Sequence, residues 1–454
     1  MKFEMSAARL LWSESKLYRT LLIAAVLYFL LRLAVQSYLF AYAITPEAIA
    51  EGTLVSGDLQ FSYIPAAQHF QAREDIYLKG SLEILELHFP YSPAFAFLFS
   101  PILLLPLNIQ VPLQVLIHLI AYGLLYFWWH RIFHKNKLDR AEKAWAWALP
   151  LFLIFTVFWD DVALLNIYLI VALFSTFAID AVLDENLVWA SFWLGAVILP
   201  IKPHWAFPLG VPLLLGRYRF FFKLLAGTFA AYLVVAGITT IGGGADYVLG
   251  QYRDYIGFLS RLSHDFPWWG PDKPFLGYNH SIKQTVVYYL GVTTENLRLA
   301  DFIKLILLVP LGWVLLSYLR RPIGRAGKES PQLALTLAFA LYLGAFIWLD
   351  MVWEISLALV IFIFLLTVLE EKWKRALLWI VFAPYAFLDI WRLISYLSFG
   401  DAILADGSYV LTDPFIYVPW ILVILLVFYG FLLHKLWRAV TDHEFEMAES
   451  RTVP

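Results

Sequence analysis

Apolar stretches of near-membrane length alternate with short polar breaks along the 454 residues. A helix needs about 20 apolar residues to cross the hydrocarbon core of a bilayer. Runs approaching that length lie at 20–44, 110–132, 144–160, 163–183, 187–202, 203–217, 220–241, 301–319, 332–349, 351–369, 375–397 and 414–433, and predict about 12 transmembrane helices. Basic residues gather at Lys16/Arg19, Arg131–Lys143, Arg217/Arg219/Lys223, Arg320–Lys328, Lys372–Arg375 and Lys435/Arg438. With all six clusters on the cytoplasmic side the spans alternate, and both termini are cytoplasmic. Loops 45–109 and 242–300, and the 398–413 loop without Lys or Arg, then lie outside. The segment 91–109 carries Pro93, Pro101 and Pro106 and reads as a re-entrant or interfacial hairpin, since each proline removes a helix hydrogen bond. Thirteen spans with an inverted C-terminal part is the alternative.

Composition narrows the class. Hydrophobic residues make up 61% and charged residues 15%, against roughly 45–50% and 25% in soluble domains. The chain therefore reads as an all-α, polytopic integral membrane protein, with its 19 Trp and 25 Tyr suited to interfacial belts. A net charge of −2 gives no field for nucleic acid. The absence of cysteine excludes disulfides, thiolate metal sites and thiol nucleophiles. A mixed polar-apolar stretch precedes the first run without a small-residue cleavage site, so that run is expected to be retained as a helix. No linker separates a soluble part, and residues 1–454 read as a single transmembrane domain with structured outer loops 45–109 and 242–300. No internal repeat stands out, which weighs against an inverted-repeat transporter.

The outer loops hold most of the candidate chemistry. Residues 58–80 predict short helices along the membrane surface. The second loop opens on Gly242-Gly243-Gly244, read as a flexible hinge because no phosphate-loop Lys follows. It continues through an amphipathic stretch, 247–262, to His264 and Asp265. Asp58, directly after Gly57, reads either as a helix N-cap or as a general base whose proton affinity is raised near an apolar interface. Lys202, in Lys202-Pro203-His204, either snorkels or holds a lipid-linked phosphate as a point charge. Trp159-Asp160-Asp161 is expected to be solvated at the interface, its adjacent acids diverging on a helix. Asp350 and Glu354, four apart, are expected to share a helix face. Tyr278-Asn279-His280-Ser281 includes a glycosylation-type triplet.

Four elements, in order, resemble glycosyltransferase family 87, the GT-C-fold mannosyltransferases that use polyprenyl-phosphate-mannose. They are Gly57-Asp58…Tyr63…Ala66-Ala67; Phe89-Pro90-Tyr91-Ser92-Pro93 followed by Pro101 and Leu105-Pro106; Gly195 through Ile201-Lys202-Pro203; and Tyr278-Asn279-His280-Ser281. The resemblance covers about residues 20–370. Of a Gly-Gln-Asn element only Asn166 fits, and Trp353-Glu354-Ile355-Ser356 lacks the histidine of a later family stretch. The resemblance implies a GT-C-like fold in a prokaryotic plasma membrane, with loops 45–109 and 242–300 forming an extracytoplasmic active site. Asp58 would be the base of an inverting transfer of a hexose, mannose by default, to a lipid or glycan acceptor. Lys202, Arg253 and His264 would bind the donor phosphate. Tyr63, His88, Tyr91, Asn279, Ser281 and Glu354 would line the sugar or acceptor site. No cofactor and no metal are expected, and the partners are the polyprenyl-phosphate sugar, the acceptor and membrane lipids. Two alternatives stand beside this. One is a secondary transporter or flippase, disfavoured because the spans look almost bare of charge at mid-length. The other is an envelope polysaccharide ligase or polymerase, for which Arg253 and Arg261 could be an arginine pair.

Overall fold

The computed structural model describes residues 6–51, 56–77, 89–264, 276–320, 330–406 and 414–452, and every regular element among them is helical. Seven of the described helices are long and apolar enough to cross a membrane: α1 (Lys16–Ala43), α2 (Leu107–Lys135), α3 (Tyr218–Gly243), α4 (Thr294–Arg320), α5 (Pro331–Trp348), α6 (Lys372–Ser395) and α7 (Trp420–Thr441). The chain is thus a multi-pass membrane protein. Leu17, Leu21, Leu27, Leu30 and Leu31 of α1 are exposed, an arrangement suited to acyl chains rather than water.

Helix ends follow local chemistry. Ser15 accepts a hydrogen bond from the Tyr18 amide at 3.2 Å and starts α1. Ser330 does the same for the Leu333 amide, with Pro331 in the first turn of α5. Pro106, extended at φ −72° and ψ 155°, precedes α2.

The expected count of about 12 spans is not reproduced, and proline accounts for much of the difference. The run 144–160 bends by 51° next to Pro150, between Asp139–Trp147 and Leu149–Leu164, and breaks again at Phe155, before the helix Thr156–Leu164; taken together the two sides of the bend would make an eighth span. The run 163–183 yields the 16-residue helix Tyr168–Leu183, about 24 Å long and short of the roughly 30 Å core. Pro200, Pro203, Pro208 and Pro212 divide 199–214 into pieces of three, seven and five residues. The run 351–369 keeps only the 11 residues Ala358–Val368 as helix. Pro93–Phe99 and the 3₁₀ turn Ser100–Leu104 form the proline-broken segment after Phe89, far too short to cross alone.

Backbone contacts divide the chain into two compact units, one of Met1–Leu173, Gly242–Tyr255 and Ser356–Pro414, the other of Phe174–Ile241, Ile256–Ile355 and Phe415–Pro454. In the first, Tyr122 stacks between Phe152 and Phe158 at 3.8 and 4.1 Å, and the Trp145 indole donates to the Tyr126 carbonyl at 2.9 Å. The triple glycine is no loose hinge. Gly242 and Gly243 close α3, where an added Cβ would lie 2.5 Å from the Phe97 ring and 2.6 Å from that of Phe70, and only Gly244 turns, at φ +93°. The amphipathic helix Ala245–His264 follows as expected. In the second unit, Trp205, Tyr342 and Phe346 pack together. Gly195 lets one helix approach the Thr228 carbonyl, which a Cβ would meet at 2.1 Å.

Candidate active site

In the first unit the chain reaches Asp58 through a turn that only glycine fits. Gly57 has φ +56°, and a Cβ there would lie 1.9 Å from the Leu164 carbonyl oxygen. Opposite it, the helix Thr156–Leu164 ends in a Schellman turn: Leu165 is left-handed at φ 46°, its amide donates to the Val162 carbonyl, and the Asn166 amide donates to that of Asp161. A non-glycine residue in this conformation costs about 1–2 kcal/mol, and such strain gathers at functional sites. Asp58 does not cap the following helix. Its backbone is already helical at φ −63° and ψ −22° and its side chain makes no capping bond; instead Gln60 accepts from the Ser56 amide and hydroxyl at 3.0 and 3.2 Å. A π-helical turn, Leu59–Tyr63, then carries Tyr63 into the interior before the helix Ile64–Ala72.

Tyr63 meets a buried polar cluster. Its hydroxyl donates to Asn166 Oδ1 at 3.2 Å and lies 3.3 Å from the Tyr91 hydroxyl. Tyr77 donates to the Tyr91 carbonyl at 2.7 Å. Burial raises both the Tyr63 and the Tyr91 phenol well above 10.0; Tyr63 is raised further by Tyr91 and Tyr91 by Tyr168, the hydrogen bond from Tyr63 partly offsetting the latter, and the charges of Asp58 and Asp161 raise both. Asn166 Oδ1 also accepts from the Ile167 amide at 2.7 Å.

His118, on α2, completes the cluster and is the residue that sequence reasoning missed. Its Nδ1 lies 2.7 Å from the Gln114 carbonyl, while Nε2 contacts the Asn166 carbonyl and stands 3.4 Å from Asp161 Oδ2. The signal that could have found it is a lone ionisable side chain inside an apolar run. The expected solvation is overturned for Asp161. Asp161 is 1% exposed and accepts from the Leu169 amide at 3.0 Å, whereas Asp160 pairs with Arg392 of α6. The two acids do diverge.

Mid-span charge is also more plentiful than the apolar runs imply. Arg32 of α1 reaches both carboxylate oxygens of Asp389 on α6, at 3.3 and 3.2 Å. Tyr28 donates to Asp389 at 2.5 Å, Arg32 donates to Gln36 at 2.9 Å, and its guanidinium lies 5.2 Å from the Trp159 ring centre.

In the second unit Lys202 sits at an extended break between Leu199–Ile201 and Pro203–Leu209. At 6% exposure it does not snorkel. Asn279 and Ser281 act as braces. The Asn279 amide group donates to the Asp350 carbonyl at 2.8 Å and accepts from the Val352 and Ser281 amides at 3.0 Å each. Ser281 caps Ile282–Leu290 through the Gln284 amide. Asp350 and Glu354 share no helix face, because 349–357 is not helical; Glu354 is buried there. Arg253 is exposed on Ala245–His264. The side chains of His264 and Arg261, and the whole of His88 and Asp265, lie outside the described residues. Among the described residues no group of three or more His, Asp or Glu could hold a metal.

Of the site residues expected from sequence, then, Asp58, Tyr63 and Tyr91 come together, joined by Asn166, His118 and Asp161. Comparison with protein-family models, with curated proteins and with solved structures finds no match.

Proposed function

We propose that the chain is a membrane glycosyltransferase moving a hexose from a polyprenyl-phosphate-linked donor to a lipid or glycan acceptor, with inversion. One observation carries the reading: Asp58 is held by a glycine-only turn, caps no helix, and stands at a buried Tyr63–Tyr91–Asn166–His118–Asp161 cluster. Asp58 takes the proton of the acceptor hydroxyl while that oxygen bonds to the anomeric carbon. The bond from that carbon to the phosphate oxygen breaks, and the electron pair leaves with the lipid phosphate. Phosphate is a good leaving group, so its charge needs a fixed cation rather than a strong acid. Lys202 is the residue that the family resemblance assigns to that task. The Tyr63 and Tyr91 phenols, kept neutral by burial, remain hydrogen-bond donors around the base.

The experiment is transfer of radiolabelled mannose from polyprenyl-phosphate-mannose to membrane lipids by purified wild type and by Asp58→Asn. Loss of a general base costs about 10²–10⁴-fold in rate. A folded Asp58→Asn with wild-type turnover would refute the role of Asp58. A transporter or flippase is the second reading, raised by the presence of ionisable residues, Arg32 and Asp389, within the spans. Flux across vesicles without sugar transfer is the result that would install it.

A further inference from the structure

We propose that Lys283 and Lys304 form a binding site for the phosphate headgroup of a membrane lipid, which enters by displacing Asp301. Two ammonium groups converge on one carboxylate in the second unit: Lys283 Nζ lies 3.0 Å from Asp350 Oδ2, and Lys304 Nζ pairs with Asp350 Oδ1. The lysine side chains are 6% and 3% exposed. The Asp301 carboxylate stands over the same two nitrogens at 3.4 and 3.6 Å, longer than the bond of Lys283 to Asp350, and is 52% exposed.

Asp350 is therefore the built-in partner, and Asp301 the one an incoming anion can replace. Asp350 is anchored from behind, since Asn279 donates to its carbonyl and Ser281 starts the helix that carries Lys283. Asp301 stands on the surface of α4, and the contacts of its side chain, with Lys283 and Lys304, include no such anchor. A phosphate brings more oxygens than a carboxylate to two ammonium groups that offer three donors each.

The surroundings choose a lipid over a free anion. Next to Asp301, α4 exposes Phe302, Leu305, Ile306 and Val309, an apolar strip along which a hydrocarbon chain can lie. Lys304 Nζ is 5.9 Å from the ring centre of Trp348, itself exposed at the end of α5, as aromatic residues are at the membrane–water interface. Free phosphate gains nothing from either. The site stands whether or not the chain transfers sugar.

The test uses the full chain in phosphatidylcholine nanodiscs, titrated with phosphatidic acid, with diacylglycerol of the same chains, or with inorganic phosphate. Binding is read as a shift in thermal midpoint and as lipid retained by mass spectrometry. Phosphatidic acid should bind and diacylglycerol should not. Asp301→Asn removes the competing carboxylate from an exposed position and should fold; it should tighten phosphatidic acid binding about two- to fivefold. Lys283→Gln/Lys304→Gln should abolish it. If the cluster is only structural, Asp301→Asn lowers the midpoint and leaves lipid affinity unchanged or weaker, which overturns the proposal. Inorganic phosphate matching phosphatidic acid at equal concentration would overturn the lipid assignment.

Discussion

Gly57→Ala tests the geometry under the candidate site. The new Cβ would lie 1.9 Å from the Leu164 oxygen, 2.2 Å from its carbonyl carbon and 2.6 Å from its Cα. All three are backbone atoms at a helix end, so no side chain can rotate out of the way. Reaching ordinary contact at about 3.5 Å needs a shift of about 1.5 Å in one segment or the other. The left-handed φ of +56° adds about 1–2 kcal/mol for any residue with a Cβ. With overpacking of about 1–3 kcal/mol, the loss of stability should be about 2–5 kcal/mol, and Asp58 should move with the turn. Displacement of about 1 Å costs on the order of 10²-fold in a positioned reaction. Thermal unfolding in detergent reads the first quantity, and mannose transfer per folded molecule the second. Gly123→Ala is the control: nothing lies within 4 Å of a Cβ there, so it should be neutral or gain up to about 1 kcal/mol. A Gly57→Ala protein that melts like wild type would refute the close approach of Gly57 to Leu164, whatever the protein's activity.

Three further outcomes follow from named contacts. The Tyr63 and Tyr91 phenols titrate higher in the folded chain than in the unfolded one, so they stabilise fully below about pH 10 and that contribution is lost as pH rises beyond it; melting curves should fall less steeply above pH 10 in Tyr63→Phe/Tyr91→Phe, and an identical fall would count against burial of the pair. Lys202→Ala should weaken donor binding, measured as a raised KM for polyprenyl-phosphate-mannose, and unchanged KM would remove Lys202 from donor recognition. Asp389→Ala leaves Arg32 buried beside Tyr28 and Gln36 and should cost about 3–5 kcal/mol; an unfolding midpoint equal to wild type would show that the pair is not buried in the membrane.

Several features of this architecture are readable from residue order because they depend on local chemistry. α1, α3, α5 and α7 follow from long apolar runs without an interior proline, α2 and α4 carry Pro112 and Pro310 without breaking, and the amphipathic 247–262 stretch lies within the helix Ala245–His264. Asp58 draws attention because a glycine precedes it, and the structure supplies the reason in the Leu164 backbone. What failed to show was the state of each short run. The segments 187–202, 203–217 and 351–369 are as apolar as true spans, yet prolines and an irregular 349–357 connection cut them short. Hydropathy counts residues and does not count lost hydrogen bonds. His118 was missed and Asp161 misread as solvated for a different reason. Their contact is between residues 43 positions apart, fixed by how α2 packs on the Thr156–Leu164 helix end, and no periodicity within either segment encodes it. Asn279 and Ser281 are the converse case: a motif-like cluster of polar residues whose hydrogen bonds close a loop.

Two kinds of polar group in the first unit bear on the choice between the proposed enzyme and a transporter. Asp389 is occupied by Arg32 on both oxygens and by Tyr28, while Arg32 is further held by Gln36 and lies against Trp159. An ion-coupled carrier needs its mid-membrane carboxylate to exchange partners during each cycle, and here exchange would strand a guanidinium in low dielectric. So saturated a pair behaves as a lock between α1 and α6. Asp58 is built the other way. Its position is enforced by backbone contact through Gly57, and it is partly exposed beside phenols that burial keeps protonated. A carboxylate held in place by the backbone can gain and lose a proton without the turn moving. That is the requirement of a general base, and it is why Asp58→Asn should abolish turnover yet melt close to wild type, while Asp389→Ala should melt early yet retain turnover in whatever fraction stays folded.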